Sequence, residues 1–256
     1  SLRGTADQQH EAISLARSES SSVAPHSGGA VSWRDHHVWT VRSSPISLVP
    51  PAPLGTDRLA GILARVAEAL DCHLVSFTAT VVEPTDEGYV HGYDLFLQSA
   101  DGLTGHRQVF VEATAGIDPR PGVLTVPIGG SRGLAAVWLY PNDPALPALG
   151  SVTDVVSARL SLAELGVDIE PADVTVVSYR PSQRAVIRVA SESQTIFVKV
   201  VAPEKAQSIA ERHELFRGSG IPVPRLLGWS PNGLIAMTAL TGVDAQSVVG
   251  HRSATA

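Results

Sequence analysis

The chain has 256 residues, 44% of them hydrophobic and 17% charged, with a formal net charge of -6 and an isoelectric point near 5.8. That is enough chain and apolar content for one large domain or two modest ones, and the acidic balance lacks the basic footprint of a nucleic-acid binder. The single cysteine, Cys72, excludes an internal disulfide and a cysteine-based zinc cluster and fits a reducing compartment.

No apolar leader opens the sequence and no run approaches 18 consecutive apolar residues, so a cytoplasmic protein with no membrane partner is expected. Residues 1–31, with "SESSSVAPHSGGA", are small, polar and aperiodic and read as a flexible arm. Residues 32–147 read as an α+β unit. "SWRDHHVWTV" has the look of a strand, and "VPPAPLGT" then interrupts the chain, because proline fixes φ and removes a donor. In "DRLAGILARVAEAL", Leu59, Ile62, Leu63, Val66 and Leu70 recur at helical spacing behind Thr56 or Asp57 as N-cap. Five strand candidates follow: "HLVSFTATVVE", "YVHGYDLFLQS", "HRQVFVEATA", "GVLTVPI" and "GLAAVWLYP". One helix against an antiparallel sheet is the economical packing of such a set.

The proline-rich "YPNDPALPALG" marks a boundary, placing a second unit at 148–245 and a tail at 246–256. "SVTDVVSARLSLAELGV" reads as a helix with Ser151 or Thr153 near its start and Gly166 just past its end. Three strands follow, "VTVVSYR", "RAVIRVA" and "TIFVKVV". Then comes the helix "PEKAQSIAERHELFRG", with Pro203 in its first turn and Ala206, Ile209, Ala210, His213 and Phe216 on its apolar face. "IPVPRLLGWS", the turn "PNG" and "LIAMTAL" complete the unit.

Within "FVKVV", Lys199 is a charge in an apolar strand, and charges tolerate burial only when paired. Taken alone it reads as a snorkelling edge lysine. Its surroundings change that reading. Tyr179-Arg180-Pro181 and Arg184-Ala185-Val186 flank the first hairpin. Phe197-Val198-Lys199-Val200 lies on the third strand, Ile221-Pro222-Val223-Pro224-Arg225 follows the helix, and Leu234 to Gly242 ends the pattern. In this order they resemble the N-terminal lobe of the aminoglycoside phosphotransferase and choline kinase-like superfamily, a branch of the protein-kinase-like fold. The resemblance covers about residues 172–245, under a third of the chain. The preceding unit is similar to the extra cap that maltokinase-like enzymes carry before the kinase lobe. The expected fold is therefore α+β: an antiparallel sheet plus helix as cap, then a kinase-like lobe of antiparallel sheet plus one helix.

The resemblance implies a nucleotide site. Lys199 would hold the phosphates of ATP as a fixed point charge, with Mg2+ accompanying the nucleotide in the complete enzyme. A glutamate of the next helix would orient it. Counting back from the "PVP" turn favours Glu211, the helical wheel favours Glu214, and Glu211 ranks first. Ser182, Gln183 and backbone N–H groups of the "RPSQR" turn would lie over the phosphates, and backbone groups near Thr238 and Leu240 would meet adenine.

The superfamily's catalytic H-G-D loop, later Asn and metal-binding Asp have no counterpart in residues 243–256, so no catalytic or metal-ligating residue is assigned. The expectation is the front of a small-molecule phosphotransferase that binds nucleotide with negligible turnover of its own. The acceptor is unspecified, and homodimerisation is expected through the exposed lobe face. The rival expectation is a non-catalytic binding or regulatory protein with a degenerate lobe.

Other patterns take bland readings. "HGYD" (91–94) sits in a strand ahead of the lysine and lacks the downstream residues that would make it a catalytic loop. The neighbouring histidines of "DHHVW" point to opposite faces of a strand. Cys72 reads as a packed helix-end residue, "GGSRG" as a plain turn and Arg225 as a surface residue. No G-x-S-x-G elbow exists.

Overall fold

The computed structural model describes residues 56–85, 88–114, 120–127, 133–240 and 242. The strand expected at "SWRDHHVWTV", the 1–31 arm, most of "GGSRG" and the 246–256 tail lie outside the described residues. The described chain is mixed α and β, with two antiparallel five-stranded sheets and three helices. No helix among the described residues is long and apolar enough to cross a membrane.

By its internal contacts the chain divides into two units. The first runs to Gly150 and also takes in Ser178–Ala185; the second comprises Ser151–Val177 and the residues from Val186 onward.

In the first unit, helix α1 (Thr56–Ala69) precedes strands β1 (Cys72–Thr85), β2 (Gly88–Ser99), β3 (Thr104–Thr114), β4 (Leu124–Pro127) and β5 (Leu134–Leu139). The sheet order is β1-β2-β3-β5-β4. The 3.6-residue period of α1 delivers Leu59, Ile62, Leu63, Val66 and Ala67 to one core, where they meet Tyr93, Leu95, Leu97, Val109, Val111, Val126, Ala135 and Val137. Leu70 packs at the margin of that core, as do Cys72, Leu74 and Phe77. β1 carries bulges between Leu74 and Ser76 and between Ala79 and Val81. Each extra residue resets which side chains face the helix.

On the other sheet face, Phe110 lies over Gly92, where a Cβ would meet the Val81 Cγ1 at 2.6 Å and the Phe110 ring at 2.8 Å. Phe110 stacks on Trp138 at 5.9 Å and meets the edge of Tyr179 at 5.4 Å; Tyr179 in turn contacts Tyr140 at 5.3 Å. The hairpin end at 178–185 thus completes an aromatic layer of the first unit.

In the second unit, a short 3-10 turn (Gly150–Val152) precedes helix α2 (Val155–Glu164). Neither Ser151 nor Thr153 caps α2. Asp154 does, its Oδ1 accepting from the Val156 and Ser157 N–H groups at 2.9 Å each. At the other end Gly166 is left-handed (φ 75). Its N–H reaches the Ala163 carbonyl while Val167 N–H reaches Leu162, the two bonds of a Schellman cap.

Strands β6 (Asp173–Arg180), β7 (Arg184–Ala190), β8 (Thr195–Val201), β9 (Leu226–Trp229) and β10 (Leu234–Thr238) give the order β6-β7-β8-β10-β9, with helix α3 (Pro203–Gly218) inserted between β8 and β9. Pro203 opens α3 and Gly220 (φ 75) closes it with a second Schellman pair, Gly220 to Arg217 and Ile221 to Phe216. Ala206 and Ala210 are buried, and Ile209 packs on the core formed by Val201, Ile235 and Met237. Phe216, expected on the apolar face, is 42% exposed, because the buried residues of α3, Ala206 and Ala210, lie in its first half.

Gly233 (φ 105) admits the chain beside β8: a Cβ there would sit 2.1 Å from the Val201 carbonyl oxygen, and Val201 N–H donates to the Gly233 carbonyl.

Candidate functional site

Lys199 lies on β8, between β7 and β10 in the sheet. Alternation splits β8 cleanly. Ile196, Val198 and Val200 are buried on one face, while Phe197 and Lys199 are half-buried on the other. Lys199 is directly opposite Ile235 and Phe197 opposite Met237. Paired residues in an antiparallel ladder share a face, and Ile235 and Met237 pack with Ala206 and Ile209 of α3. Lys199 is therefore on the sheet face that α3 covers.

Both candidate glutamates stand on the exposed side of α3. Glu211 accepts from the Gln207 side-chain amide at 2.9 Å, and Glu214 pairs with Arg217 at 2.6 Å, one turn onward. Exposed i,i+4 and i,i+3 pairs of this kind contribute only tenths of a kcal/mol. Thr238 ends β10. Its N–H donates to the Arg225 carbonyl and its Oγ1 accepts from Arg225 N–H, both at 3.0 Å, tying β10 to the segment after the "PVP" turn. Leu240, two residues on, is 61% exposed.

Ser182 and Gln183 belong to the first unit. Arg180, Pro181, Ser182 and Gln183 form a reverse turn with Pro181 second and Ser182 third. Ser182 has φ 60, and Gln183 N–H returns to the Arg180 carbonyl at 3.0 Å. That is the pattern of a type II turn, whose third position normally takes glycine. The turn is held from three sides. Ser182 N–H donates to Asp143 Oδ2 at 2.7 Å, Gln183 Nε2 donates to the Pro84 carbonyl at 2.8 Å, and Arg180 pairs with Glu83 at 2.9 Å.

Asp143, 1% exposed, is the centre of this arrangement. Its Oδ2 also accepts from the Tyr179 hydroxyl at 2.8 Å, and its Oδ1 accepts from Ala145 N–H at 2.9 Å. Burial pushes the Asp143 carboxyl above the ordinary aspartate range, outweighing the three donors and Arg120, which favour its charge. Burial also raises Tyr179 far above a normal phenol, assisted by the neighbouring carboxylate, and burial raises Tyr140. Trp138 Nε1, Tyr140 OH and Ser182 Oγ are buried without partners.

In the sequence, three prolines make "YPNDPALPALG" a boundary, and that composition hides the role of Asp143. The available signal was an Asp-Pro-Ala step, in which an aspartate bonds the backbone two residues on.

The "HGYD" residues do not converge. His91 is opposite Val111 on the helix side of the first sheet, where burial lowers its basicity; Asp94 is opposite Gln108 on the other face and bonds His106 at 2.9 Å. Among the described residues no group of three or more His, Cys, Asp or Glu is arranged to hold a metal. No protein-family model matches the chain, and no curated protein matches it.

Proposed function

We propose that this chain is the nucleotide-binding part of an ATP-dependent small-molecule phosphotransferase of the aminoglycoside phosphotransferase and choline kinase-like kind. The observation that carries the reading is Lys199: a lysine on an inner strand of an antiparallel sheet, on the face covered by the one helix inserted between β8 and β9. A lysine whose strand is fixed by neighbours on both sides presents its ammonium from a defined place. Phosphoryl transfer needs just such a fixed counter-charge on the nucleotide phosphates, and Mg2+ enters with the nucleotide. Glu211 and Glu214 are the carboxylates that the resemblance offers to orient Lys199, and either would have to leave its present partner, Gln207 or Arg217, and turn toward the sheet. The stretch from Thr238 to Leu240 would serve adenine, and the acceptor would be a small metabolite bearing a hydroxyl group.

A second reading, a non-catalytic binding or regulatory protein, has its own support. Leu215, Phe216, Ile221, Trp229 and Leu240 of the second unit are all exposed, and apolar side chains in such number suit a docking surface, including one for a second copy.

Titration of the chain with Mg-ATP by calorimetry separates the two. The first reading expects saturable binding that weakens at least tenfold in Lys199→Ala, since a charge-assisted bond to phosphate is worth about 1.5–3 kcal/mol. Absence of nucleotide binding, together with a concentration-dependent dimer or a stable complex with another protein, would overturn it in favour of the second.

A further inference from the structure

The edge strands of the two sheets are not alike. β4 and β9 are four residues each; Pro127 ends β4, and Pro222 and Pro224 precede β9. β6 begins on Asp173 and ends on Arg180. Short strands, prolines and charges are the usual guards of an edge. β1 is different. It lies at the margin of the first sheet, pairs with β2 alone among the described residues, and runs for 14 residues. It contains no Lys or Arg, and its one carboxylate, Glu83, and its one proline, Pro84, stand near its end. Thr78, Ala79 and Thr80 at its centre are exposed, as are Val82 and Val75, the latter to 54%. An exposed edge of this length offers a row of backbone N–H and C=O groups as a template for another strand.

We propose that the β1 edge joins two copies of this chain, which pair antiparallel through Cys72–Pro84 with Thr78 on the two-fold axis, so that the first-unit sheets continue as one. The occupant follows from the strand itself, which is complementary to its own reverse. Leu74 and Phe77 pack toward α1, and Ala79 and Val82 share that face with their ladder partners Tyr93 and His91. His73, Thr78, Val81 and Glu83 lie on the other face, where Val81 meets Gly92. With Thr78 opposite its counterpart, Phe77 faces Ala79, Leu74 faces Val82 and His73 faces Glu83. Each pair joins like face to like face across both bulges, as a continuous sheet requires. The exposed bulge residue Val75 is covered by Val81. His73 brings an imidazole donor to a carboxylate whose Oε2 holds Arg180 and whose Oε1 has no bond among the described residues. A register with Phe77 opposite itself also keeps the faces but leaves Glu83 outside the pairing. Both copies use the same surface, so the assembly closes at two. The inference concerns the first unit alone and does not rest on the nucleotide reading.

The test is sedimentation velocity of the full chain from low to high micromolar concentration, with variants that read the surface and the register. Wild type should dimerise with concentration. Val75→Lys places an ammonium at an exposed bulge residue that has no partner on β2, and should raise the dimer dissociation constant at least about tenfold, as a lysine guard on an edge does. Single cysteines in a Cys72→Ser background carry the test even if Val75→Lys fails to fold. At the two-fold axis the Thr78→Cys pair has Cα atoms about 4.5–5.5 Å apart, within reach of a disulfide. The Ser76→Cys pair is offset by four residues, about 13 Å, and is out of reach. Mild oxidation should therefore give a covalent dimer of Thr78→Cys and leave Ser76→Cys unlinked. A dimer that withstands Val75→Lys, or that links Ser76→Cys as readily as Thr78→Cys, uses another surface or register and overturns the proposal. A monomer at every concentration also overturns it, and slow amide exchange across 72–85 in that monomer would make another part of the same chain the occupant of the edge.

Discussion

At the scale of single residues, Asp143 is a carboxyl of the first unit that is 1% exposed. It accepts three hydrogen bonds, from Ser182 N–H, Ala145 N–H and the Tyr179 hydroxyl, yet burial still holds its proton affinity above that of an exposed aspartate. The sign of the consequence follows from linkage. Between the ordinary aspartate value, about 3.9, and the raised folded value, the folded chain binds more protons than the unfolded one. This residue's contribution to stability is therefore greatest at acid pH and falls as pH rises through the folded value. Asp143→Asn keeps an acceptor for Ser182 N–H and a polar partner for the Tyr179 hydroxyl but cannot ionise. Denaturant titrations from about pH 4 to pH 7 should show a decline in wild type that is flatter in the variant; parallel profiles would mean that Asp143 is not the source.

At the scale of elements, local signals and local geometry agree closely. α1 occupies the predicted stretch because its apolar residues recur every three to four positions, and the Schellman cap of α2 uses Gly166, the glycine that the sequence places just past the helix end. The start of α2 differs. Ser151 and Thr153 were equally good caps by residue type, but the 3-10 turn at Gly150–Val152 advances the helix start and gives the role to Asp154. Replacing a cap that accepts from two N–H groups should cost about 1 kcal/mol. Asp154→Ala is thus expected to lower the urea midpoint without changing the slope of the transition, and an unaltered midpoint would show that the cap contributes nothing net.

At the scale of the whole molecule, the division of the chain does not follow the sequence order. The proline-rich segment ending near Gly150 looks like a clean boundary, yet Ser178–Ala185 belongs with what precedes it. Tyr179 closes the aromatic layer over Phe110 and supplies a donor to Asp143. A fragment ending at residue 150 therefore keeps the buried carboxylate and loses two of its three donors. Leaving a buried charged acceptor unsatisfied costs about 3 kcal/mol or more, a large share of the 5–15 kcal/mol that typically holds a domain together. Such a fragment should lack a cooperative thermal transition and a near-ultraviolet signal from packed aromatic residues. A sharp transition matching that of the full chain would show that residues 178–185 are dispensable to the first unit.

The sequence by itself determined the elements. Period, turn residues and glycine positions are local properties of a chain, and they marked the helices, the strands and the mixed α+β class of what is described here. It also singled out Lys199, because a charge within a β-branched run is visible without coordinates. Only the tertiary structure decided which sides met. The register of β8 against β10 put Lys199 on the face of α3. The exposed side of that helix took Glu211 and Glu214 into pairs with Gln207 and Arg217. Asp143 was joined to Tyr179 and Ser182 across 36 and 39 residues of sequence. Burial of a polar group depends on everything packed around it, and no window of neighbouring residues contains that information.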